Sequence, residues 1–91
     1  MSLNRIKIIK GIYLSLGKIE CPMNEPFVLD CRSFDIPETI SRMIKNLKKS
    51  RPNCVAITLS PLGGPRMIAM AERTARQCDM RILWFTKIQE P

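Results

Sequence analysis

The six residues "CVAITL" at positions 54–59 constrain the fold more than any other part of the sequence. They are apolar on both faces of a strand, as expected for a central strand covered on both sides, or on one side plus a partner. An amphipathic helix is predicted on each side of them, and the strand-like segments "FVLDC" (27–31) and "RILWF" (81–85) lie beyond the helices. This alternation predicts a β-α-β-α-β unit with right-handed crossovers and a largely parallel core.

The first predicted helix begins near Ile36 and is stopped by "SRPN" at 50–53. Asp35 is predicted as its N-cap, Glu38 completes a capping box, and Pro37 suits the first turn. One face of the helix carries an apolar stripe at the helical period, which consists of Ile36, Ile40, Met43, Ile44 and Leu47.

The second predicted helix runs from about Pro65 to Cys78 and has its own apolar stripe. Both stripes should pack on the sheet and form the core with its strands. The predicted core therefore comprises Ile36, Ile40, Met43, Ile44, Leu47, Val55, Ile57, Leu59, Ile68, Ala71, Ala75, Ile82, Leu83 and Trp84.

The first third of the chain alternates apolar and polar residues in "RIKI" (5–8) and in "IYLSL" (12–16). This pattern predicts a hairpin or an added edge strand. We therefore expect one domain over residues 1–91, with N-terminal strands in 1–20 and the β-α-β-α-β core in 26–91. The expected architecture is a two-layer α/β sandwich, with two helices on one face of a four- to five-stranded mixed sheet.

The composition restricts the classes of function. No apolar run approaches the roughly 18 residues that span a bilayer. The basic, apolar N-terminus is interrupted by lysines and is followed by no small-residue cleavage site, unlike a signal peptide. We therefore expect a cytoplasmic protein with no membrane partner.

The cysteine pattern does not indicate a metal site. The four cysteines are widely spaced and the chain has no histidine, so zinc-ligand spacing is absent from the sequence. Cys31, Cys54 and Cys78 lie among apolar residues and are expected to be reduced thiols. Without histidine, a catalytic base would have to be Asp30, Asp35 or a lysine, and Asp35 is assigned to the cap. We therefore expect no enzymatic activity, no metal and no cofactor.

The net charge is +7, from 15 basic and 8 acidic residues, and such an excess attracts a polyanion or an acidic protein. The basic residues concentrate on the polar faces of the two predicted helices. If both helices pack on the same face of the sheet, these residues form one surface for nucleic acid or an acidic partner; a solvated face is the simpler interpretation. The candidate residues are Arg42, Lys45, Lys48, Lys49, Arg51, Arg73 and Arg76.

The segment "SPLGGPR" at 60–66 leads from a predicted strand into a helix through two glycines. Backbone amides and a basic side chain could converge there on a phosphate or another anion. The alternative interpretation is a tight turn before the first proline of the helix. The candidate anion-binding residues are Ser60, Gly63, Gly64 and Arg66.

The stretch "LDCRSFDIPETI" at 29–40 resembles the signature of the TusA-like (SirA-like) sulfur carriers. In that family a strand ends in Leu-Asp-x-Arg-Gly and a Cys-Pro-x-Pro motif opens the next helix. Asp30, Arg32 and Pro37 match in register, and the order of elements over about 27–88 is similar. Ser33 replaces the glycine, and Ile36 stands at the position of the cysteine that carries the persulfide.

Thr39 also stands where the family has the second proline. Ile36 is incompatible with the carrier chemistry that the resemblance implies, because an isoleucine side chain cannot hold sulfur. The sequence therefore predicts a small, basic, non-catalytic interaction or adaptor domain that binds a protein partner or a second copy. Nucleic-acid binding through the first helix and anion binding at 60–66 are the alternatives.

Overall fold

The computed structural model describes residues 6–10 and 24–86. The strands and helices alternate as predicted, with a short 3₁₀ turn after the third strand. In chain order they are β1 (Lys7–Lys10), β2 (Phe27–Ser33), α1 (Pro37–Ser50), β3 (Cys54–Leu59), the 3₁₀ turn (Pro61–Gly63), α2 (Pro65–Gln77) and β4 (Arg81–Trp84).

The four strands form one sheet in the order β1-β2-β3-β4, and each strand is parallel to its neighbours. The expected mixed sheet is therefore corrected to a parallel one for the described strands. β1 lies at the edge of the sheet and pairs with β2 in parallel, with Ile9 opposite Leu29, which confirms the added edge strand of the prediction. Residues 11–26 lie between them, enough for the crossover of a dozen or more residues that parallel neighbours need. The second predicted N-terminal strand, 12–16, lies outside the described residues.

The two helices pack side by side on one face of the sheet, as predicted. Their contact includes a hydrogen bond of 2.8 Å between the hydroxyl groups of Ser41 on α1 and Thr74 on α2. Beneath them lies one hydrophobic core. It consists of Phe27, Leu29, Ile40, Ile44, Leu47, Cys54, Ile57, Leu59, Met67, Ala71, Ala75 and Met80.

Two residues of the predicted core are exposed. Leu83 is 46% exposed because Ile82 and Trp84, its neighbours on β4, pack against the core and leave Leu83 on the opposite face. Ile36 is 59% exposed because it precedes the first turn of α1 and does not share the buried stripe. The prediction also missed two fully buried residues of β2, Phe27 and Leu29.

None of the described helices is both long enough and apolar enough to cross a membrane. Three cysteines are described, of which Cys54 is buried and Cys31 and Cys78 are half-buried. Cys21 lies outside the described residues.

Candidate functional site

The carboxyl end of β2 carries a compact polar cluster built around Asp30. Thr58, directly opposite on β3, donates a hydrogen bond of 2.6 Å to the Asp30 carboxylate. The Nε–H group of Arg32 donates a second one, of 3.0 Å, to the same oxygen. The Thr58 hydrogen bond, followed by the pairing with Arg32, holds the pKa of Asp30 below its ordinary value of 3.8, against the opposing effect of burial.

An irregularity in β2 turns Arg32 toward β4. The pairing with β3 jumps from Asp30 opposite Thr58 to Ser33 opposite Leu59, so that residues 31 and 32 form a bulge. Arg32 has a left-handed backbone with φ of 51°. Its guanidinium carbon lies 4.4 Å from the centre of the Phe85 ring, beyond the end of β4. The bulge therefore brings residues from three strand ends together.

The start of α1 differs from the predicted cap. The helix begins at Pro37, and the N-cap position belongs to Ile36, whose side chain makes no capping hydrogen bond. Asp35 lies one residue earlier, and its carboxylate accepts a hydrogen bond of 2.7 Å from the Ile36 N–H group. The assignment of Asp35 as N-cap, with Glu38 in a capping box, is therefore wrong by one residue.

Large apolar side chains are exposed beside this helix start. Phe34 is 51% exposed, Ile36 59% and Leu62, in the 3₁₀ turn, 78%. A Cβ atom at Gly63 would lie 3.2 Å from the Asp35 carbonyl oxygen, so the connections after β2 and β3 touch. We refer to Phe34, Ile36 and Leu62 as the apolar cluster.

Several polar groups of the predicted anion-binding loop form hydrogen bonds within the loop itself. Ser60 is buried, and its hydroxyl oxygen accepts a hydrogen bond from the Leu62 N–H group. The Gly64 N–H group donates to the Pro61 carbonyl oxygen. Gly64 requires its glycine conformation, with φ of 95°, and Arg66 is exposed in the first turn of α2. Anion binding at this loop remains a prediction, with Arg66 as the accessible side chain of its four candidates.

The structure brings five of the seven predicted basic residues to the solvent side of the paired helices. These five, which we call the basic helical surface, are exposed: Arg42, Lys45, Lys49, Arg73 and Arg76. Lys48 is half-buried and donates to the Cys54 carbonyl oxygen, and Arg51 is half-buried with its Nη1 group donating to the Ser50 carbonyl oxygen. Glu72 on α2 accepts a hydrogen bond of 2.8 Å from the Trp84 indole.

The carboxylate and thiol groups at the end of β2 are hydrogen-bonded to neighbouring groups. Asp30 is committed to Thr58 and Arg32, and the Cys31 thiol donates to the Thr58 carbonyl oxygen at 3.2 Å. Within residues 6–10 and 24–86, no group of three side chains from His, Cys, Asp or Glu could hold a metal ion.

Comparison with known proteins adds no family to this geometry: neither a family model nor a curated protein sequence matches the chain. What the fold and the surfaces define is a small parallel α/β domain with exposed apolar and basic groups.

Sequence reasoning missed Thr58, Phe85 and Leu62. Thr58 could have been found as the polar residue within an otherwise apolar central strand. Phe85 follows β4 directly, but its contact with Arg32 depends on the bulge in β2, for which the sequence gives no signal. Leu62 follows Pro61 and precedes two glycines and a second proline, a context that favours a turn and hence exposure of the side chain.

Proposed function

We propose that this chain is a small, non-catalytic interaction domain that binds an acidic protein through the apolar cluster of Phe34, Ile36 and Leu62. Ile36 occupies the position of the reactive cysteine in the sulfur carriers that the sequence resembles. In this proposal the chain is a divergent relative of those carriers in which this position contacts a partner and carries no sulfur.

The observation that carries the proposal is the side chain at the N-cap of α1. Ser, Thr, Asp and Asn are strongly preferred at this position because they satisfy an exposed backbone N–H group. Ile36 offers no such bond and exposes 59% of its surface. Positions that break a local rule without a compensating contact are often functional sites. Leu62 and Phe34 extend the same exposed apolar character.

The charge around the apolar cluster supports an acidic partner. Arg66 lies in the first turn of α2, where the helix dipole favours an anion, and Arg32 is exposed at the end of β2. A second copy of the chain would bring another +7 to the contact, so the overall charges would repel. An acidic protein would be attracted instead.

The test compares three serine variants in affinity capture from the source cells, followed by purification of the captured protein and measurement of its Kd. Ile36→Ser and Leu62→Ser should each weaken binding by roughly tenfold, as expected for residues central to an interface. Ile8→Ser is the matched control, because Ile8 is an isoleucine that is 64% exposed on β1. Equal binding by all three variants would contradict the proposal.

Two further measurements separate the alternatives. Ile36→Ser should raise the free energy of unfolding by about 0.5–2 kcal/mol, since serine can cap α1, so lost binding would not reflect lost folding. Sedimentation equilibrium should show a monomer at the concentrations used for binding. If the chain instead forms a dimer and Ile36→Ser dissociates it, the partner at the apolar cluster would be a second copy of the chain. That result would overturn the proposal of an acidic protein partner.

A second candidate function, nucleic-acid binding, is favoured by the basic helical surface. The packing of α1 against α2 on one face of the sheet meets the condition on which the sequence prediction depended. Its five exposed cations could contact phosphates without reading a base sequence.

This candidate is tested with random-sequence duplex DNA at increasing KCl concentrations, using fluorescence anisotropy. Lys45, Lys49 and Arg73 are changed together to glutamine, and the control changes Lys7, Lys10 and Arg81, which gives the same net charge. For the first variant, the slope of log K against log [KCl] should become shallower by about one unit for each phosphate contact removed. For the control variant, the slope should change less. Equal losses, or no binding at low salt, would exclude a dedicated surface.

A further inference from the structure

The Arg32 side chain is held in place while part of its hydrogen-bonding capacity remains unused. A guanidinium group has five N–H donors. The Nε–H group donates to Asp30, and no hydrogen bond of the Nη1 and Nη2 groups occurs in the described part of the chain. The side chain is nevertheless 51% exposed. Four donors, two each on Nη1 and Nη2, therefore have no hydrogen-bond partner in the described part of the chain.

Two contacts hold the guanidinium group, and a third holds the backbone of Arg32. Asp30, whose side chain is 9% exposed, pairs with Nε; the Phe85 ring supports the guanidinium at 4.4 Å; and the Arg32 backbone N–H group donates to the Thr58 hydroxyl oxygen at 3.3 Å. An arginine immobilised in this way has already lost much of its conformational entropy. An anion that it binds therefore causes a smaller further loss.

The charges around Arg32 remain favourable for binding an anion. Asp30 neutralises part of the Arg32 charge, but Lys10 lies opposite Asp30 on β1 and on the same face of the sheet. The site is at the carboxyl end of a parallel sheet, where open α/β folds bind their ligands.

We propose that Arg32 is the receptor of an oxyanion-binding site, which takes a carboxylate or phosphate group on its two terminal nitrogen atoms. Two parallel N–H···O bonds from the end of the guanidinium match either group. Asp30 and Phe85 act as positioning residues that hold the guanidinium but do not touch the anion. The site is distinct from the apolar cluster and binds a free anion as well as one carried by a larger ligand.

The experiment follows the side-chain Nε–Hε resonance of Arg32 by NMR in the ¹⁵N-labelled chain. Inorganic phosphate and acetate are titrated separately at constant ionic strength, with chloride as the reference anion. We expect saturable shifts at Arg32 with at least one of the two anions, and comparison of the two titrations identifies the preferred one. A linear response no larger than that with chloride would overturn the proposal.

Variants distinguish a built site from general attraction to a basic protein; for them, the backbone amides around residue 32 report binding. Arg32→Lys keeps the positive charge but removes the two parallel N–H donors of the guanidinium, and we expect the affinity for the anion to fall roughly fivefold or more. Phe85→Leu should weaken binding by about twofold to threefold through lost positioning. Arg81→Gln, which removes an exposed arginine at the start of β4, should leave the affinity within about twofold. An effect of Arg81→Gln equal to that of Arg32→Lys would contradict the assignment, and a dispersed backbone spectrum confirms that each variant is folded.

Discussion

At the scale of single residues, Arg32 combines an unfavourable backbone with favourable side-chain contacts. A left-handed conformation costs a non-glycine residue roughly 1–2 kcal/mol. The ion pair with Asp30 and the contact with Phe85 offset this cost. The sulfur-carrier signature has glycine one position later, yet Ser33 has no positive φ, so the structure does not require glycine there.

Asp30→Asn should lower the free energy of unfolding by about 1–3 kcal/mol at pH 7, because it removes a charge-assisted pair from a nearly buried site. The pKa of Asp30 is lowered in the folded state, so its ionised form stabilises the protein fully above the ordinary value of 3.8. This stabilisation disappears as the pH falls through the lower folded value. The difference between variant and wild type should shrink in the same range, as measured by urea unfolding across pH 2–7.

The control for this prediction is Asp79→Asn. Asp79 is exposed and has φ of 55°, a conformation that asparagine tolerates well. Its substitution should change stability by less than about 0.5 kcal/mol. A pH dependence of Asp30→Asn identical to that of wild type would show that the Asp30 pair contributes nothing to folding.

At the scale of elements, the contact between α1 and α2 includes a polar pair that is partly buried. Thr74 is 2% exposed, and its hydroxyl bonds to that of Ser41 at 2.8 Å. A buried hydroxyl without a partner is costly, so the two groups should be coupled in energy.

A double-mutant cycle tests this coupling. Ser41→Ala and Thr74→Val should each destabilise the protein by about 1 kcal/mol. The double variant should lose less than the sum, with a coupling of about 0.5–1.5 kcal/mol, because the first substitution already breaks the bond. The measurement is urea unfolding of the four proteins, and additive losses would mean that the hydrogen bond does not stabilise the helix pair.

At the scale of the whole molecule, the sequence predicted the features that depend on hydrophobic periodicity. It did not predict the features that depend on tertiary contacts. The stripes of α1 and α2 and the apolar strand "CVAITL" established the core architecture, and the structure confirms them. The parallel direction of β1 was not predicted, because alternation in a strand contains no information about its partner. Ile36 looked like a core residue because it fits the helical period, although it lies before the first turn.

The candidate sites were predictable only as residue types. Asp30 and Arg32 were identified from a spacing, but their bond, the bulge and Phe85 arise from three strands that meet in the fold. The basic helical surface followed from the sequence once both helices were expected on one face. Burial of Lys48 and Arg51 did not, since a charged residue at a helix end gives no sign of which backbone oxygen it reaches.

The order of the described strands, β1-β2-β3-β4, has a consequence for how the chain folds. None of the four described strands has to insert between two strands that are already paired, and each described α-helix connects two neighbouring strands. Each new strand can dock on the edge left by the previous one, so contacts form between segments close in sequence. Such a topology has a low contact order for a parallel sheet and should fold faster than one whose central strand arrives last.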